Sequence, residues 1–300
     1  MLRVRLPESC ILNDPAYLTA GARLVTTDEK KLNLKITSKE CRVEKPNGDL
    51  LFMLLKGVIE DHIWEPAYEL LRTVNGDVSN RPNIIGQNLR LPTFRKDGSL
   101  SNFNMAPKTV SKKFGGKADL LGFYKYKNPA PGVVDCAPTA WTSGKGKKKG
   151  ALSPVYSGCF EFIQKVDEVY REMLPNEYKR QQAVAHAVPK NFRILDTAFT
   201  TLYVLKNAPT SIHTDDFDAN GTFGCMASLG DWTGNALVFP KYRIGCNYEP
   251  GDVILADVHE FHGNLPLLSG ERVSCVFFVR TGMDKCPVTK PLAPAKPKHG

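Results

Sequence analysis

The chain contains no run of about 18 apolar residues, so no membrane-spanning helix is expected. Its first ten residues, MLRVRLPESC, lack the apolar stretch of a secretory signal. Eight cysteines stand at 10, 41, 136, 159, 225, 246, 275 and 286, never closer than 11 residues. No CxxC pair is therefore available to build a zinc knuckle. Cys225 and Cys275 lie inside apolar, strand-like runs, the setting of buried reduced thiols. The protein is accordingly expected to be intracellular, nuclear in a eukaryotic host, with free cysteines. Internal repeats are also missing.

What is present is a basic balance confined to one segment. Of 300 residues, 42% are hydrophobic, enough for one large core, and the net charge is +9. Between Arg90 and Gly150 there are 13 Lys and Arg against three acids, Asp97, Asp119 and Asp135, so the rest of the chain is slightly acidic. Localised positive charge fits a polyanionic partner whose phosphates it neutralises. A solvated lysine-rich loop is the plainer alternative. The segment also carries Phe94, Phe103, Phe114, Phe123, Tyr124, Tyr126 and Trp141, and aromatics set among Lys and Arg can stack on or wedge between bases.

Helical spacing predicts a helix over 57–74 and a firmer one over 157–173, followed by another from Pro175 through 187 that Pro189 ends. Short strands are expected at 3–6 and 32–36. Residues 75–118, rich in Asn, Gly, Pro and Ser, read as long loops, and 144–150 as an exposed low-complexity loop. Beyond residue 196 the pattern changes to short strands, at 198–205, 221–229, 236–240, 245–248, 253–257 and 272–280. Turns at 231–234, 249–252 and 269–271 separate them. The fold class is α+β, a double-stranded β-helix (jelly-roll) core buttressed by N-terminal helices. Residues 1–286 are expected to form a single catalytic domain, with a helical and basic-loop half at 1–195 and the jelly-roll core at 196–286. A basic, proline-rich tail at 287–300 is expected to be disordered.

Chemistry concentrates at His213-Thr-Asp215, followed 47 residues later by His262 and ten residues after that by Arg272. Residues i and i+2 of a strand share a face, so His213 and Asp215 can chelate one ion. His262 follows a strand return, where a jelly roll delivers a second imidazole. Two His and one carboxylate on one side of a metal form the ligand set of non-heme Fe(II) oxygenases. His259 is the rival distal ligand. A zinc hydrolase could use the same three ligands, but no general base stands in a matching place and Arg272 would have no role. Arg272 and Ser274 share a strand face and suit a bidentate grip on a carboxylate plus one hydroxyl hydrogen bond.

The segments FTTLYVLKNAPTSIHTDDFD, LGDWTGNALVFPKY, EPGDVILADVHEFHGN and GERVSCVFFVR carry a resemblance. The stretch from Thr200 to Arg280 is similar to the core of Fe(II)/2-oxoglutarate dioxygenases, and within them to the TET/JBP nucleobase oxygenases of the compact fungal, protist or phage type. That resemblance implies iron on His213, Asp215 and His262, 2-oxoglutarate on Arg272 and Ser274, and O2 as co-substrate. It implies a base flipped out of double-stranded DNA whose methyl group is hydroxylated. Asp218 matches a base-contacting position of the family. Arg280 stands where cytosine-oxidising members commonly have His. An acceptor at Asp218 and a donor at Arg280 complement cytosine, so 5-methylcytosine is the expected substrate, oxidised to 5-hydroxymethylcytosine or further. A salt bridge between the two that reads no base is the alternative. Other readings are a thymine hydroxylase of the JBP type, a hydroxylase of a protein or small molecule, and a catalytically silent DNA-binding jelly roll. Lys112, Lys113, Lys117, Lys145, Lys147, Lys148 and Lys149 are the candidate DNA-backbone contacts, and the chain is expected to act as a monomer without membrane partners.

Overall fold

Six apolar residues in a row, Leu50–Leu55, mark the centre of the structure. They form a strand with every side chain buried. The computed structural model describes residues 1–74, 117–125, 136–143, 151–216 and 218–286, together with the backbone of 90–94 and 100–105. In chain order the strands are β1 (Leu2–Arg5), β2 (Lys35–Thr37), β3 (Cys41–Glu44), β4 (Leu50–Leu55), β5 (Arg90–Phe94), β6 (Leu100–Met105), β7 (Lys117–Lys125) and β8 (Cys136–Pro138). After the helices come β9 (Thr201–Lys206), β10 (Gly224–Gly234), β11 (Leu237–Phe239), β12 (Ile244–Cys246), β13 (Val253–Ala256), β14 (Gly263–Asn264) and β15 (Leu267–Phe278). The helices are α1 (Asp28–Lys31), α2 (Asp61–Leu71), α3 (Ala140–Ser143), α4 (Pro154–Gly158), α5 (Phe160–Met173) and α6 (Pro175–Ala187).

Nine strands form one sheet in the order β1-β3-β4-β13-β10-β15-β9-β7-β8, and four form a second in the order β14-β11-β12-β2. The larger sheet buries both faces, and the period-2 alternation of strands decides what each face meets. Cys225, Ala227 and Leu229 of β10, Val253 and Leu255 of β13, and Val273, Cys275 and Phe277 of β15 pack against Ala67 and Leu71 of α2 and Phe162, Ile163, Val166 and Tyr170 of α5. The Phe162 and Phe277 rings meet with centroids 5.7 Å apart. On the opposite face, Phe52, Met226, Ile254 and Ala256 pack against Leu237, Phe239, Ile244 and Cys246 of the smaller sheet. Phe52 stacks on Phe239 at 5.6 Å. A jelly roll with helices on one outer face is the result, as the sequence pattern predicts.

Four local readings change. β3 and β4, not expected as strands, extend the large sheet through the antiparallel register of β4 on β13. Residues 231–234 and 269–271 are not turns. They continue β10 and β15 as one antiparallel pair, running from Cys225 opposite Phe277 to Thr233 opposite Ser269. Gly230, Gly234 and Gly270 take left-handed backbone there, which is why the segment resembles turns in sequence. The stretch 75–118 holds β5, β6 and the start of β7, and its other residues lie outside the described ones. Finally, Cys136 and Cys286, 150 residues apart, form a disulfide with Cα atoms 5.7 Å apart, whereas Cys225 and Cys275 are free and buried as expected. No helix among the described residues is long and apolar enough to cross a membrane.

Candidate active site

His213 and His262 are brought together by the backbone. The two residues form an isolated antiparallel bridge, His213 N–H donating to His262 O at 2.9 Å and His262 N–H to His213 O at 3.0 Å. Gly263 lies in close packing beside the bridge, where a Cβ would sit 3.0 Å from Ser211 O and 3.1 Å from Ile212 N. Glycine therefore keeps the approach of the two segments open. Each imidazole gives its Nδ1–H to a main-chain carbonyl, His213 to Ser211 O at 2.7 Å and His262 to Glu260 O at 2.9 Å. That hydrogen bond fixes the tautomer and puts the lone pair of each imidazole on Nε2. Both Nε2 atoms face one carboxylate: His213 Nε2 lies 3.7 Å from Asp215 Oδ1, and His262 Nε2 lies 3.8 Å from Asp215 Oδ2. One ligand atom from each residue lies within 4.8 Å of the others, and all three residues are buried. Ligand atoms gathered this closely could hold one divalent ion after a small inward shift. His259 is turned to Asp257 instead, its Nδ1 3.4 Å from Oδ1.

The alternation that sends Val273, Cys275 and Phe277 to the helices sends Arg272, Ser274, Val276 and Phe278 the other way. A narrow cavity joins the triad to Asp218, Tyr203, Tyr248 and Ser274, with Val276 and Phe278 along its wall. Arg272 is buried at the end of this row. Its Nε donates to Ser228 Oγ at 3.1 Å, its Nη1 to Asn235 Oδ1 and its Nη2 to the Tyr248 hydroxyl. Its guanidinium also lies over the Tyr248 ring, 4.8 Å from the centroid, and 5.5 Å from that of Trp232. Its backbone N–H donates to Asn207 Oδ1 at 2.8 Å. Asn207 and Asn235 both adopt left-handed backbone, φ 51° and 61°, a conformation asparagine tolerates better than most residues. Among the described residues every side-chain partner of this cation is neutral, and burial pulls its pKa down while the Tyr248 phenol opposes the shift. A buried guanidinium without a carboxylate fits a site that receives one from a ligand. Both donor sets therefore fit their groups: two imidazoles and a carboxylate for iron, and an anion-deficient arginine for the far carboxylate of 2-oxoglutarate.

Asp218 and Arg280 are joined by a second isolated bridge, and Ala219 N–H donates to Val279 O at 3.1 Å beside it. Asp218 is buried and lines the triad cavity. Arg280 lines a separate groove with Ala183, Val184, Ala187 and Asp284, so the two candidate base contacts are adjacent in backbone and differ in the spaces they line. Lys117 is exposed at the head of β7, paired in register with Lys206. The other candidate lysines, 112, 113, 145 and 147–149, lie outside the described residues. Sequence reading missed Ser228, Asn235, Tyr248 and Asn207. The only signal for them was Asn next to Gly or Pro-containing turns, as in Gly234-Asn235.

A double-stranded β-helix carrying a His-Asp-His triad on its cavity, with a buried arginine hydrogen-bonded to the cavity-lining Tyr248, has the architecture of a non-heme iron oxygenase. The family model described as the oxygenase domain of the 2OGFeDO superfamily, Tet_JBP, matches residues 125–281. The chain belongs to this TET/JBP family of Fe(II)/2-oxoglutarate dioxygenases, whose superfamily uses Fe(II), 2-oxoglutarate and O2. It is 31% identical over 215 residues to the thymine dioxygenase JBP1 of Crithidia fasciculata, covering 67% of this chain and 25% of that protein. To JBP1 of Leishmania major it is 29% identical over 281 residues, covering 85% of this chain and 32% of the relative. The chain thus spans between a quarter and a third of the length of these two relatives. A solved structure described as NgTET1 in complex with 5mC DNA shares the fold, with a TM-score of 0.54 at 14% identity over 93% of this chain and 96% of the other.

Proposed function

We propose that this chain oxidises the C5 methyl group of a pyrimidine, 5-methylcytosine or thymine, flipped out of double-stranded DNA. The observation that carries the reading is the cavity shared by the three candidate metal ligands, Ser274 and the buried carboxyl of Asp218. His213, Asp215 and His262 would hold Fe(II), and Arg272 with Ser274 the far carboxylate of 2-oxoglutarate. With Fe(II) and 2-oxoglutarate bound there, O2 would be the oxidant, one oxygen atom going to the methyl group as hydroxyl and the other to succinate as 2-oxoglutarate loses CO2. The protein's own part is to place the base and exclude water. Apolar walls from Leu205, Met226, Leu237, Val276 and Phe278 keep the cavity dry beside the ligands. A stacked base cannot enter so narrow a space, so the base must leave the duplex. Asp218 then offers an acceptor either to the 4-amino group of cytosine or to the imide N–H of thymine.

Both bases find support among the relatives. The curated ones are thymine dioxygenases, and the structural neighbour is described with 5mC DNA. The basic segment, with Lys117 at its described edge, would bind phosphates, and that contact accounts for the +9 charge in a way that a small-molecule substrate does not. The experiment is anaerobic loading with Fe(II) and 2-oxoglutarate, exposure to air with duplexes containing 5-methylcytosine, thymine, or neither, and nucleoside mass spectrometry. Hydroxymethyl product from one of the first two duplexes is expected. Asp218→Asn should shift the preference between them without loss of metal binding. If 2-oxoglutarate is consumed with another substrate class and no base is oxidised, the nucleic-acid reading is wrong.

A further inference from the structure

The turn between β13 and β14 supports two of the three candidate ligands through its main chain. Val258 O accepts the Asp215 N–H at 2.9 Å, and Glu260 O accepts the His262 Nδ1–H at 2.9 Å. Side chains from elsewhere pin this turn. Lys45, on the connection between β3 and β4, donates from Nζ to Asp257 Oδ2 at 2.8 Å and to Glu260 Oε1 at 3.2 Å. Tyr242 OH donates to Glu260 Oε1 at 2.7 Å, and Lys241 Nζ to Oε2 at 3.1 Å. The Lys45 side chain is only 13% exposed, with Asp257 at 20% and Glu260 at 17%. Largely buried charges are costly unless paired and hydrogen-bonded, and removing one partner leaves the others uncompensated. Lys45 is the one cation that bridges both carboxylates of the turn among the described residues.

We propose that Lys45 is a positioning residue for the metal centre: by tying Asp257 to Glu260 it fixes the turn whose Val258 and Glu260 carbonyls aim Asp215 and His262 at the ion. The inference rests on the metal-site reading above. Groups behind metal ligands set ligand orientation and basicity, and losing them weakens metal binding without removing a ligand. Tyr242 and Lys241 still hold Glu260 when Lys45 is lost, so the effect is a weakening and not an abolition. It also gives the N-terminal segment, which contributes no ligand, a share in the chemistry.

The test is titration of the metal-free 300-residue chain with Co(II), followed by its ligand-field absorption, alongside thermal melting. Lys45→Met is compared with Lys45→Arg and with Lys56→Met. Lys56 bridges Asp252 and Glu249 in the same manner but holds no ligand-bearing turn. Lys45→Met should weaken Co(II) binding by about 10- to 100-fold, with altered absorption. Lys45→Arg should restore most of it, and Lys56→Met should leave it at the wild-type value while lowering the melting temperature. Tyr242→Phe is the second probe should Lys45→Met fail to fold, and it should weaken Co(II) binding in the same direction. Wild-type Co(II) affinity in folded Lys45→Met, or in Tyr242→Phe where Lys45→Met does not fold, overturns the proposal. If the wild type binds Co(II) no better than His213→Ala, the metal-site reading fails first and this one with it.

Discussion

On the cavity, His213, Asp215 and His262 are aimed by main-chain groups: the carbonyls of Ser211, Glu260 and Val258 and the bridge between the two histidines. Arg272, buried and bonded to the cavity-lining Tyr248, is aimed by side chains, those of Ser228, Asn235 and Tyr248, with Asn207 on its backbone. The metal end needs ligand atoms held to tenths of an ångström, and hydrogen-bonded backbone supplies that rigidity. The arginine end needs an unneutralised positive charge kept in a buried place, and neutral oxygens can orient a guanidinium without cancelling it. Damage should therefore separate in one direction, with variants around Arg272 sparing metal binding.

The largest effect is expected for His213→Ala. Loss of one of three ligands should abolish divalent-metal binding, seen by titration, and turnover with it, while the fold survives by circular dichroism. Arg272→Met should keep metal affinity yet weaken 2-oxoglutarate binding by a loss of about 2–5 kcal/mol, the cost of truncating one side of a buried charge pair. That appears as a raised KM for 2-oxoglutarate. Tyr248→Phe keeps the ring beneath the guanidinium and removes one hydrogen bond to it. A loss of about 1.5 kcal/mol, or roughly tenfold in 2-oxoglutarate affinity, is expected with metal binding unchanged. The smallest is Asn207→Ala, which leaves the Arg272 N–H without its acceptor. It should cost about 1 kcal/mol of stability in denaturant melts and little co-substrate affinity. Metal affinity that falls along with 2-oxoglutarate affinity in Tyr248→Phe would show that the two ends are not independent.

What could be read from the sequence follows the same division. The grouping of His213, Asp215 and His262 and the strand face shared by Arg272 and Ser274 were legible because strand period and spacing place them: His213 and Asp215 two apart, Arg272 and Ser274 two apart, and an apolar strand before His262. The partners of Arg272 were not. Ser228 reaches it from β10, Asn235 from the residue after β10 and Tyr248 from the segment after β12, and only the packing of the two sheets brings them near. β4 was missed because a short apolar run does not distinguish a two-sided strand from a piece of buried helix. The glycines at 230, 234 and 270 imitated turns inside β10 and β15. The disulfide between Cys136 and Cys286 spans 150 residues, and spacing carries no information about such a pair.

The account depends most on the triad and Arg272 acting as one site for iron and 2-oxoglutarate. Its most direct test is an anaerobic titration of the Fe(II)-loaded protein with 2-oxoglutarate, followed by the visible charge-transfer absorption of the chelate. The wild type should develop the band and saturate. His213→Ala should give none, and Arg272→Met should give the same band at a much higher concentration of 2-oxoglutarate. A band of unchanged midpoint in Arg272→Met, or an intact band in His213→Ala, would contradict the account.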